Sequence, residues 1–345
     1  MFRITIQIGK RNKSTEITTL TGKRNKSTEI IILTGNRNKI ISKHTAADIY
    51  LPPFQKKYRR LNMEIVIIGA GNAGKATAAY LLSMRQPSFN DKTDDMHDSS
   101  YKVRLITGDA KKAAETEKNG LTASGRITGN FRPMIEYSPY GTGDIRASKA
   151  DVIIVQTVAG AHRDVAERLK GHLGKNQLII IFNGNWGAAE FESVLGAEAR
   201  EKNTLICETA AQLFLCSSPD INSVNITGIK ESVGFAVSDM KRMREAYERA
   251  VRLFPGLKTA ENIIDTSANS SNPVIHGPIA AFNITRLENG EDYTLFGTAL
   301  PEKLIRYIEK ADLERCAVIE ALGTKATGVL EILNSFWPVK RESLR

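Results

Sequence analysis

The sequence lacks any apolar run long enough to cross a membrane. A membrane-spanning helix needs about 20 consecutive apolar residues, whereas the apolar run Ile30–Leu33 has only four. Cysteine is also scarce: Cys207, Cys216 and Cys316 are an odd number and show none of the close spacings of a zinc site. These absences argue against a membrane protein, a disulfide framework and a metal site, and they favour a reducing cytoplasm.

Acidic residues are nearly missing from the first 62 residues, which hold 14 Lys or Arg and 3 Asp or Glu, against 34 and 35 in the rest. A unit from Gly9 to Ile17 recurs as Gly22 to Ile30, and in shorter form as Gly35 to Ile40, each thirteen residues on. That period is too short for a repeat with its own apolar face. We predict that residues 1–62 are a disordered leader, present because the start lies upstream of Met63. A targeting peptide and a nucleic-acid arm are the alternatives, and beyond this leader we expect no nucleic-acid partner.

The strongest motif begins at Met63, where a β-branched run leads into Gly69-Ala-Gly71-Asn72-Ala73-Gly74 and then an Ala-rich helix. This spacing is typical of a dinucleotide-binding turn. Gly69 allows the tight turn, Gly71 lets the backbone approach the pyrophosphate, and Gly74 lets the helix pack on the strand. The pyrophosphate then lies on the helix N-terminus, and Asn72 and Ala73 belong to the same cofactor site. A glycine-rich turn without a ligand is the alternative, which the strand and helix context disfavours.

The end of the second predicted strand, Lys102 to Thr107, bears on the choice between NAD and NADP. An acidic side chain there accepts hydrogen bonds from the ribose and repels a 2′-phosphate. Thr107 stands at that position and Lys111 and Lys112 follow, which favours NADP over NAD. One alternative is that Asp109, two residues later, accepts the hydrogen bonds from the ribose. Another is that the two lysines are only the solvent-exposed start of a helix.

Further predicted strands alternate with helices, which indicates a doubly wound, mainly parallel α/β sheet, a Rossmann domain spanning residues 63–263. Ligands bind outside the carboxyl ends of such strands. The predicted residues at those ends are Gln156, Thr157, Asn183, Gly184, Glu208 and Thr209. Two later strands, 223–229 and 232–237, are expected to form an edge hairpin around Lys230 and Glu231.

A smaller all-α domain is predicted over residues 264–345, and its first segment carries the polar residues of interest. Asn272 followed by Pro273 is typical of a helix start, with Asn272 as the cap. Pro278 predicts a kink or a fresh start, which would hold His276 near a helix N-terminus. Asn272, His276 and Asn283 fall near one helical face. Histidine is the usual general acid or base, although a lone histidine is more often structural.

Several stretches together resemble the octopine/nopaline dehydrogenase family from Met63 to about Lys340. They are the glycine turn, Val155-Gln-Thr-Val-Ala-Gly-Ala-His162, Asn183-Gly-Asn-Trp-Gly-Ala-Ala-Glu190, Cys207-Glu-Thr209, Asn272-Pro-Val-Ile-His-Gly-Pro278 and Arg286-Leu-Glu-Asn-Gly-Glu-Asp-Tyr293. The resemblance implies a Rossmann domain followed by a helical domain, and reductive condensation of a 2-oxo acid with an amino acid. It implies that His276 polarises the oxo group and handles the proton, and that Glu208 and Thr209 lie near the substrates, as we also expect for Asn272 and Asn283.

The resemblance also implies a further helical stretch, with an Arg that binds the oxo acid and an Asp that pairs with the histidine. We find no counterpart of either residue before Arg345. We therefore expect a C-terminally truncated chain with impaired activity, since loss of an orienting acid can cost several powers of ten in turnover. Arg286 is a weak substitute because it lies about 80° off the face of His276.

Two other functions are kept as alternatives. One is a related Rossmann dehydrogenase of the ketopantoate reductase or glycerol-3-phosphate dehydrogenase type, which typically uses a lysine. The other is a dinucleotide-binding remnant or sensor without catalysis. A homodimer is left open.

Overall fold

A computed structural model describes residues 15–21, 28–34, 63–84, 101–291, 300–336 and 341–344. The chain divides into two compact units, residues 1–60 and 61–345. In the first unit, strands β1 (Thr15–Thr21) and β2 (Thr28–Thr34) pair antiparallel, and each lies in a copy of the sequence repeat. The leader thus contains two paired strands where we expected disorder. The other residues of this leader, and residues 85–100, lie outside the described ranges.

The second unit is built from strands and helices that alternate through its first two thirds. Its described strands are β3 (Met63–Ile68), β4 (Tyr101–Thr107), β5 (Leu121–Gly125), β6 (Gly129–Phe131), β7 (Met134–Tyr137), β8 (Val152–Val155), β9 (Leu178–Ile181), β10 (Leu205–Thr209), β11 (Phe214–Ser217), β12 (Ser223–Ile229), β13 (Val233–Val237) and β14 (Leu257–Thr259). Its described helices are α1 (Asn72–Ser83), α2 (Ala110–Asn119), α3 (His162–Leu169), α4 (Gly187–Glu201), α5 (Met243–Leu253), α6 (Ile263–Ala268), α7 (Asn272–Phe282), α8 (Ile284–Glu288), α9 (Glu302–Ala321) and α10 (Val329–Ser335). No helix in these ranges is long and apolar enough to cross a bilayer.

The large sheet has the strand order β14-β13-β10-β9-β8-β3-β4-β7 and is parallel except where β13 pairs with β10. From β3 the chain first builds outward through β4 and β7, then returns to the other side of β3 to add β8, β9 and β10. The strand order therefore reverses between β3 and β8, and a crevice opens at the carboxyl ends of these two strands. This confirms the predicted doubly wound sheet and places the glycine turn at its switch point.

The central strand β3 explains why the sheet is covered on both faces. Ile65 and Ile67 pack into one apolar layer, while Val66 and Ile68 pack into the other. Successive side chains of a strand point to opposite faces, so a continuous apolar run requires two buried faces. Helix α1 covers the first face and helices α3 and α4 cover the second.

The predicted edge hairpin of residues 223–237 is wrong. Strand β12 joins a separate four-stranded sheet of order β11-β12-β5-β6, whereas β13 pairs with β10 of the large sheet. The connection between them, which includes Lys230, carries the chain from one sheet to the other. Strand β12 alternates polar and apolar residues and β13 reads Val-Gly-Phe-Ala-Val, and neither pattern chooses a pairing partner. The second sheet was not expected from the sequence.

The helices after α6 form the predicted all-α part, and its core joins Val274, Ile275 and Ile279 of α7 to Leu304 and Ile308 of α9. Helix α10 also contributes Ile332 and Phe336 to the apolar layer above α1. The helical part is therefore packed directly on the dinucleotide domain. The boundary at residue 263 stays a prediction.

Helix α7 runs from Asn272 to Phe282 through Pro278, so of the two expected alternatives, a kink or a fresh helix start, the fresh start is wrong. Packing of its apolar face on α9 outweighs the loss of one backbone donor. Ser271, not Asn272, is at the cap position, and its side chain makes no capping bond. His276 lies in the second turn of this helix.

Candidate active site

The glycine turn after β3 leaves room for a ligand where the fingerprint predicts it. At Gly69, with φ of 107°, an added Cβ would lie 2.5 Å from the carbonyl oxygen of Gln156. At Gly74 it would lie 1.8 Å from the carbonyl oxygen of Gly69. At Gly71 it would meet no atom within 4 Å. Gly69 and Gly74 are therefore required for packing, while Gly71 faces open space.

Helix α1 begins directly beyond Gly71, at Asn72 and Ala73. No side chain caps it and its first turn has no acidic residue. Its first amide groups are therefore available to an anion, which the helix dipole also favours. The open space and the uncapped helix start fit the pyrophosphate of a dinucleotide.

Gln156 and Thr157 follow β8 at the switch point, beside the glycine turn. The Gln156 backbone amide donates to Ile68 O at 2.8 Å, and its side-chain amide donates to Thr77 Oγ1 at 2.9 Å. Gln156 Oε1 and Thr157 Oγ1 are buried without a partner. Buried polar atoms are rarely left unpaired. These two atoms therefore fit a role in holding the bound cofactor.

At the end of β4, Thr107 is buried, and its hydroxyl accepts from the backbone N–H of Asp109 at 3.2 Å. Asp109 caps α2 by accepting from the backbone N–H of Lys112 at 3.0 Å, and that hydrogen bond lowers the pKa of its carboxyl. Asp109 therefore already has a structural role at the position where a ribose would bind.

Tyr140 is a residue of this region that sequence reasoning missed. Its ring lies across Gly108, because a Cβ there would be 2.6 Å from two ring atoms, and Tyr140 is 74% exposed. No motif marks it. Only its position in the fold, beside the end of β4, suggests a contact with the adenosine half of a cofactor.

Glu208 and Thr209, at the end of β10, are fully buried. The Glu208 carboxylate accepts from the backbone N–H of Ala188 at 2.9 Å, from Thr266 Oγ1 at 2.6 Å and from Ser267 Oγ at 2.5 Å. Burial raises the pKa of Glu208. Because protein groups surround both carboxylate oxygens, we expect Glu208 to act on the site by positioning α6, not by touching a substrate.

Thr209 has a similar positioning role. Its hydroxyl accepts from the backbone N–H of Asn183 at 3.0 Å and donates to Ala211 O at 2.9 Å. Ser267, besides contacting Glu208, accepts from the backbone N–H of Trp186 at 2.8 Å. These bonds hold the loop after β9 at both ends.

That loop has an unusual backbone, since Asn183, Asn185 and Trp186 all adopt positive φ values, of 54°, 44° and 70°. Such conformations are uncommon outside glycine and asparagine and persist only where the surroundings impose them. The loop directs the Asn183 side chain toward the helical part, where Asn272 Nδ2 donates to Asn183 Oδ1 at 3.3 Å. This explains why Asn272 does not cap α7: its amide spans the cleft.

His276, one turn after Asn272, is exposed on α7. Partial burial of the ring and the nearby charge of Lys230 lower its pKa. The imidazole is therefore neutral at pH 7, with one nitrogen as donor and the other as acceptor. Lys230, which lies between β12 and β13, is the second residue that sequence reasoning missed, because the loop was interpreted as a hairpin turn.

Asn283 and Arg286 each have a partner close to them in the chain. Asn283 is buried, and its side-chain amide donates to Ile279 O of its own helix at 2.9 Å. Arg286 pairs with Glu291 at 3.2 Å. Asn283 therefore stabilises the end of α7, and its proposed contact with substrate stays a prediction.

A cavity of about 210 Å³ lies between the dinucleotide domain and the helical part. Residues from both sides line it, among them Ala210, Gly234, Asn272, Ser335 and Phe336. Asn272 links this cavity to the face of α7 that carries His276. Across the described ranges, no group of His, Cys, Asp or Glu side chains is arranged to hold a metal ion.

Comparison with known proteins supports the same division. A family described as NAD/NADP octopine/nopaline dehydrogenase, alpha-helical domain, matches residues 259–345, and the family of ketopantoate reductase PanE/ApbA matches residues 65–207. An opine dehydrogenase of Arthrobacter sp. (strain 1C) is 28% identical over 268 residues, which cover 77% of this chain and 69% of the relative. The chain is therefore similar to opine dehydrogenases over most of its length.

Solved structures of two opine dehydrogenases and of a D-mandelate dehydrogenase share the fold. A yersinopine dehydrogenase without ligand gives a TM-score of 0.60 at 13% identity, covering 80% of this chain and 67% of that one. An octopine dehydrogenase with NADH and pyruvate gives 0.56 at 15% identity, covering 80% and 70%. A D-mandelate dehydrogenase with NADH gives 0.55 at 18% identity, covering 80% of each chain.

Proposed function

We propose that this chain is an NAD(P)-dependent opine-type dehydrogenase, which condenses a 2-oxo acid with the amino group of an amino acid and reduces the resulting imine. The observation that carries the proposal is the position of His276. The histidine is exposed on α7 one turn from Asn272, whose amide contacts Asn183 at the carboxyl edge of the sheet.

The residues of the cleft support this chemistry in separate ways. The open space at Gly71 and the uncapped start of α1 would hold the dinucleotide, which supplies a hydride when bound. His276 would donate a hydrogen bond to the oxo oxygen and exchange the proton as the imine forms and is reduced. The contact between Asn183, in the loop after β9, and Asn272, at the start of α7, would set the distance between the bound dinucleotide and His276.

The decisive experiment supplies NADPH or NADH, pyruvate and a panel of amino acids to the purified chain and follows the oxidation of the reduced nicotinamide. The product should be a secondary amine with two carboxylates, identified by mass spectrometry. His276→Asn should lower kcat by about 100-fold or more without changing cofactor affinity, because general acid–base catalysis contributes about 10²–10⁴-fold.

A matched control is His172→Asn, which removes a surface histidine that pairs with Asp144 at 3.1 Å. Its activity should equal that of the unaltered chain. Amino-acid-dependent turnover that survives in His276→Asn would contradict the assigned role. Absence of such turnover for every amino acid would contradict the function.

For the cofactor, we propose a preference for NADPH over NADH. Lys111 and Lys112 support it, since both lie in the first turn of α2, a few residues after the end of β4. The Lys111→Gln, Lys112→Gln double variant should lower kcat/KM for NADPH and leave that for NADH unchanged. Lys118→Gln, at the other end of α2, is the control.

Direct reduction of a 2-oxo acid to a 2-hydroxy acid is a second candidate, favoured by the match of residues 65–207 to ketopantoate reductase. The same assay without any amino acid separates the two. Oxidation of NADPH that does not require an amine would identify the reductase. A homodimer stays a prediction, which light scattering of the purified chain would check.

A further inference from the structure

The short connection between β12 and β13 reaches the edge of the interdomain cavity. Ser232 and Phe336 line that cavity, and Lys230 lies beside both. The backbone N–H of Lys230 donates to Leu213 O at 2.9 Å, and that of Glu231 donates to Phe336 O at 3.3 Å. The connection is thus fixed to the small sheet on one side and to the end of α10 on the other. Its position is set by the packing of both parts.

The Lys230 side chain is half-buried, and its ammonium group has an aromatic ring as its neighbour but no acid. Nζ lies 3.8 Å from the centroid of the Phe336 ring. No carboxylate in the described ranges lies within ion-pair distance of Lys230. Burial lowers the pKa of Lys230 from 10.5 to about 8, so most molecules remain charged at pH 7. A partly desolvated cation without a counter-ion is an electrostatic cost that a bound anion would remove.

The charge of Lys230 also reaches the predicted proton donor. Its charge is one of the two causes that lower the pKa of His276, and Asn272, one turn before His276, lines the same cavity as Phe336. Arg286, the cation considered from the sequence, pairs with Glu291. The part of the chain that the structure describes therefore offers Lys230 as the cation beside His276 that no acid neutralises.

We propose that the Lys230 ammonium group binds the α-carboxylate of a substrate in the cleft beside His276, with Phe336 shielding the ion pair from water. The proposal rests on the function proposed above, and it names the group that recognises the charged end of the substrate. A carboxylate held there would turn its adjacent oxo or amino carbon toward helix α7, which carries His276. Both substrates of an opine-forming reaction carry such a carboxylate.

The steady-state test compares Lys230→Met with Lys230→Arg in the full chain. Loss of a charge-assisted hydrogen bond of about 1.5–3 kcal/mol corresponds to a change of about 10- to 150-fold. We expect Lys230→Met to raise KM by that factor for pyruvate or for the amino acid, with a smaller change in kcat and none in NADPH affinity. Lys230→Arg should recover most of the loss. Lys241→Met, an exposed lysine elsewhere, should match the unaltered chain.

The substrate whose KM rises identifies the carboxylate that Lys230 binds. A chain that turns over, but whose Lys230→Met variant keeps both KM values, would overturn the proposal.

A labelling test needs no turnover. Limiting acetic anhydride near pH 8 should acetylate Lys230 in the unaltered chain, as measured by mass spectrometry of its peptides against Lys241. Pyruvate should protect Lys230, whereas acetone, which has the oxo group without the carboxylate, should not. If the chain forms no opine, the proposed function fails and the labelling result alone decides. Protection by pyruvate then supports the carboxylate site, and labelling that pyruvate leaves unchanged overturns it.

Discussion

The side-chain amide of Asn272 donates to Oδ1 of Asn183 at 3.3 Å, and this contact links the two halves of the candidate site. Asn183 follows β9 in a left-handed conformation, with φ of 54°, and Asn272 opens the helix that carries His276. The residues lie 89 positions apart in the chain. The contact sets where the proton donor lies relative to the carboxyl edge of the sheet.

We predict that Asn272→Leu lowers kcat/KM for the opine-forming reaction by about 10- to 100-fold, because a small displacement of reacting groups can cost about 10²-fold. Loss of one hydrogen bond should lower stability by about 1 kcal/mol. Steady-state kinetics and a denaturant titration measure the two effects. Asn289→Leu, beyond the exposed end of α8, is the control. A loss confined to cofactor affinity would contradict this assignment.

Two glycine variants should separate the fold from cofactor binding. Gly71→Val should keep the thermal midpoint of the unaltered chain, because a Cβ there meets no protein atom within 4 Å. It should nevertheless abolish NADPH binding, because the new side chain occupies the approach of the pyrophosphate. Gly74→Val should fail to fold, since its Cβ would lie 1.8 Å from the carbonyl oxygen of Gly69. Normal NADPH binding by Gly71→Val, measured by fluorescence titration, would refute the cofactor site.

The ion pair between Arg315 and Asp312 should be the most sensitive polar contact of the helical part. Its atoms are 2.7 Å apart with each side chain 11% exposed, and Arg315 also donates to Ala268 O at 2.9 Å. Arg315→Met should destabilise the chain by about 3–5 kcal/mol, because it leaves a buried carboxylate without its partner. Arg306→Met removes an exposed pair with Glu302 and should cost about 0–1 kcal/mol. Equal losses in the two variants, by denaturant titration, would contradict this ranking.

The lowered pKa of Lys230 predicts a pH-dependent difference in stability. Burial moves the pKa from 10.5 to about 8, so below pH 8 both the folded and the unfolded chain carry the proton and the folded state bears the full cost. Between pH 8 and 10.5 the unfolded chain binds more protons, so stability rises with pH. Lys230→Met should therefore have the higher thermal midpoint at pH 7, and the difference should shrink as pH rises toward 10.5.

Lys75, whose pKa burial also lowers to about 8, contributes equally to both proteins and cancels from the difference. Lys241→Met is again the control. A Lys230→Met variant that is less stable at pH 7 would show that Lys230 serves the fold and not a ligand.

Local sequence patterns are sufficient to predict the doubly wound sheet and the glycine turn after its first strand. The run from Ile65 to Ile68 is apolar at every position, which requires a strand covered on both faces. The glycine spacing after it predicts a tight turn at the carboxyl end of that strand. The Asn-Pro-x-x-His element marks Asn272 and His276 as candidate site residues through its resemblance to the octopine/nopaline dehydrogenase family. Each of these features depends on neighbours within about ten residues, so the chain encodes it locally.

Long-range packing determines which polar groups meet. Strands 223–229 and 233–237 are separated by only three residues, yet packing assigns them to different sheets and brings Lys230 beside Phe336. The sequence offers Glu208 as a carboxylate near the substrate, and only the folded chain shows that Ala188, Thr266 and Ser267 donate hydrogen bonds to it. Contacts between residues far apart in the chain depend on how all the elements pack together, and local sequence patterns do not encode that packing.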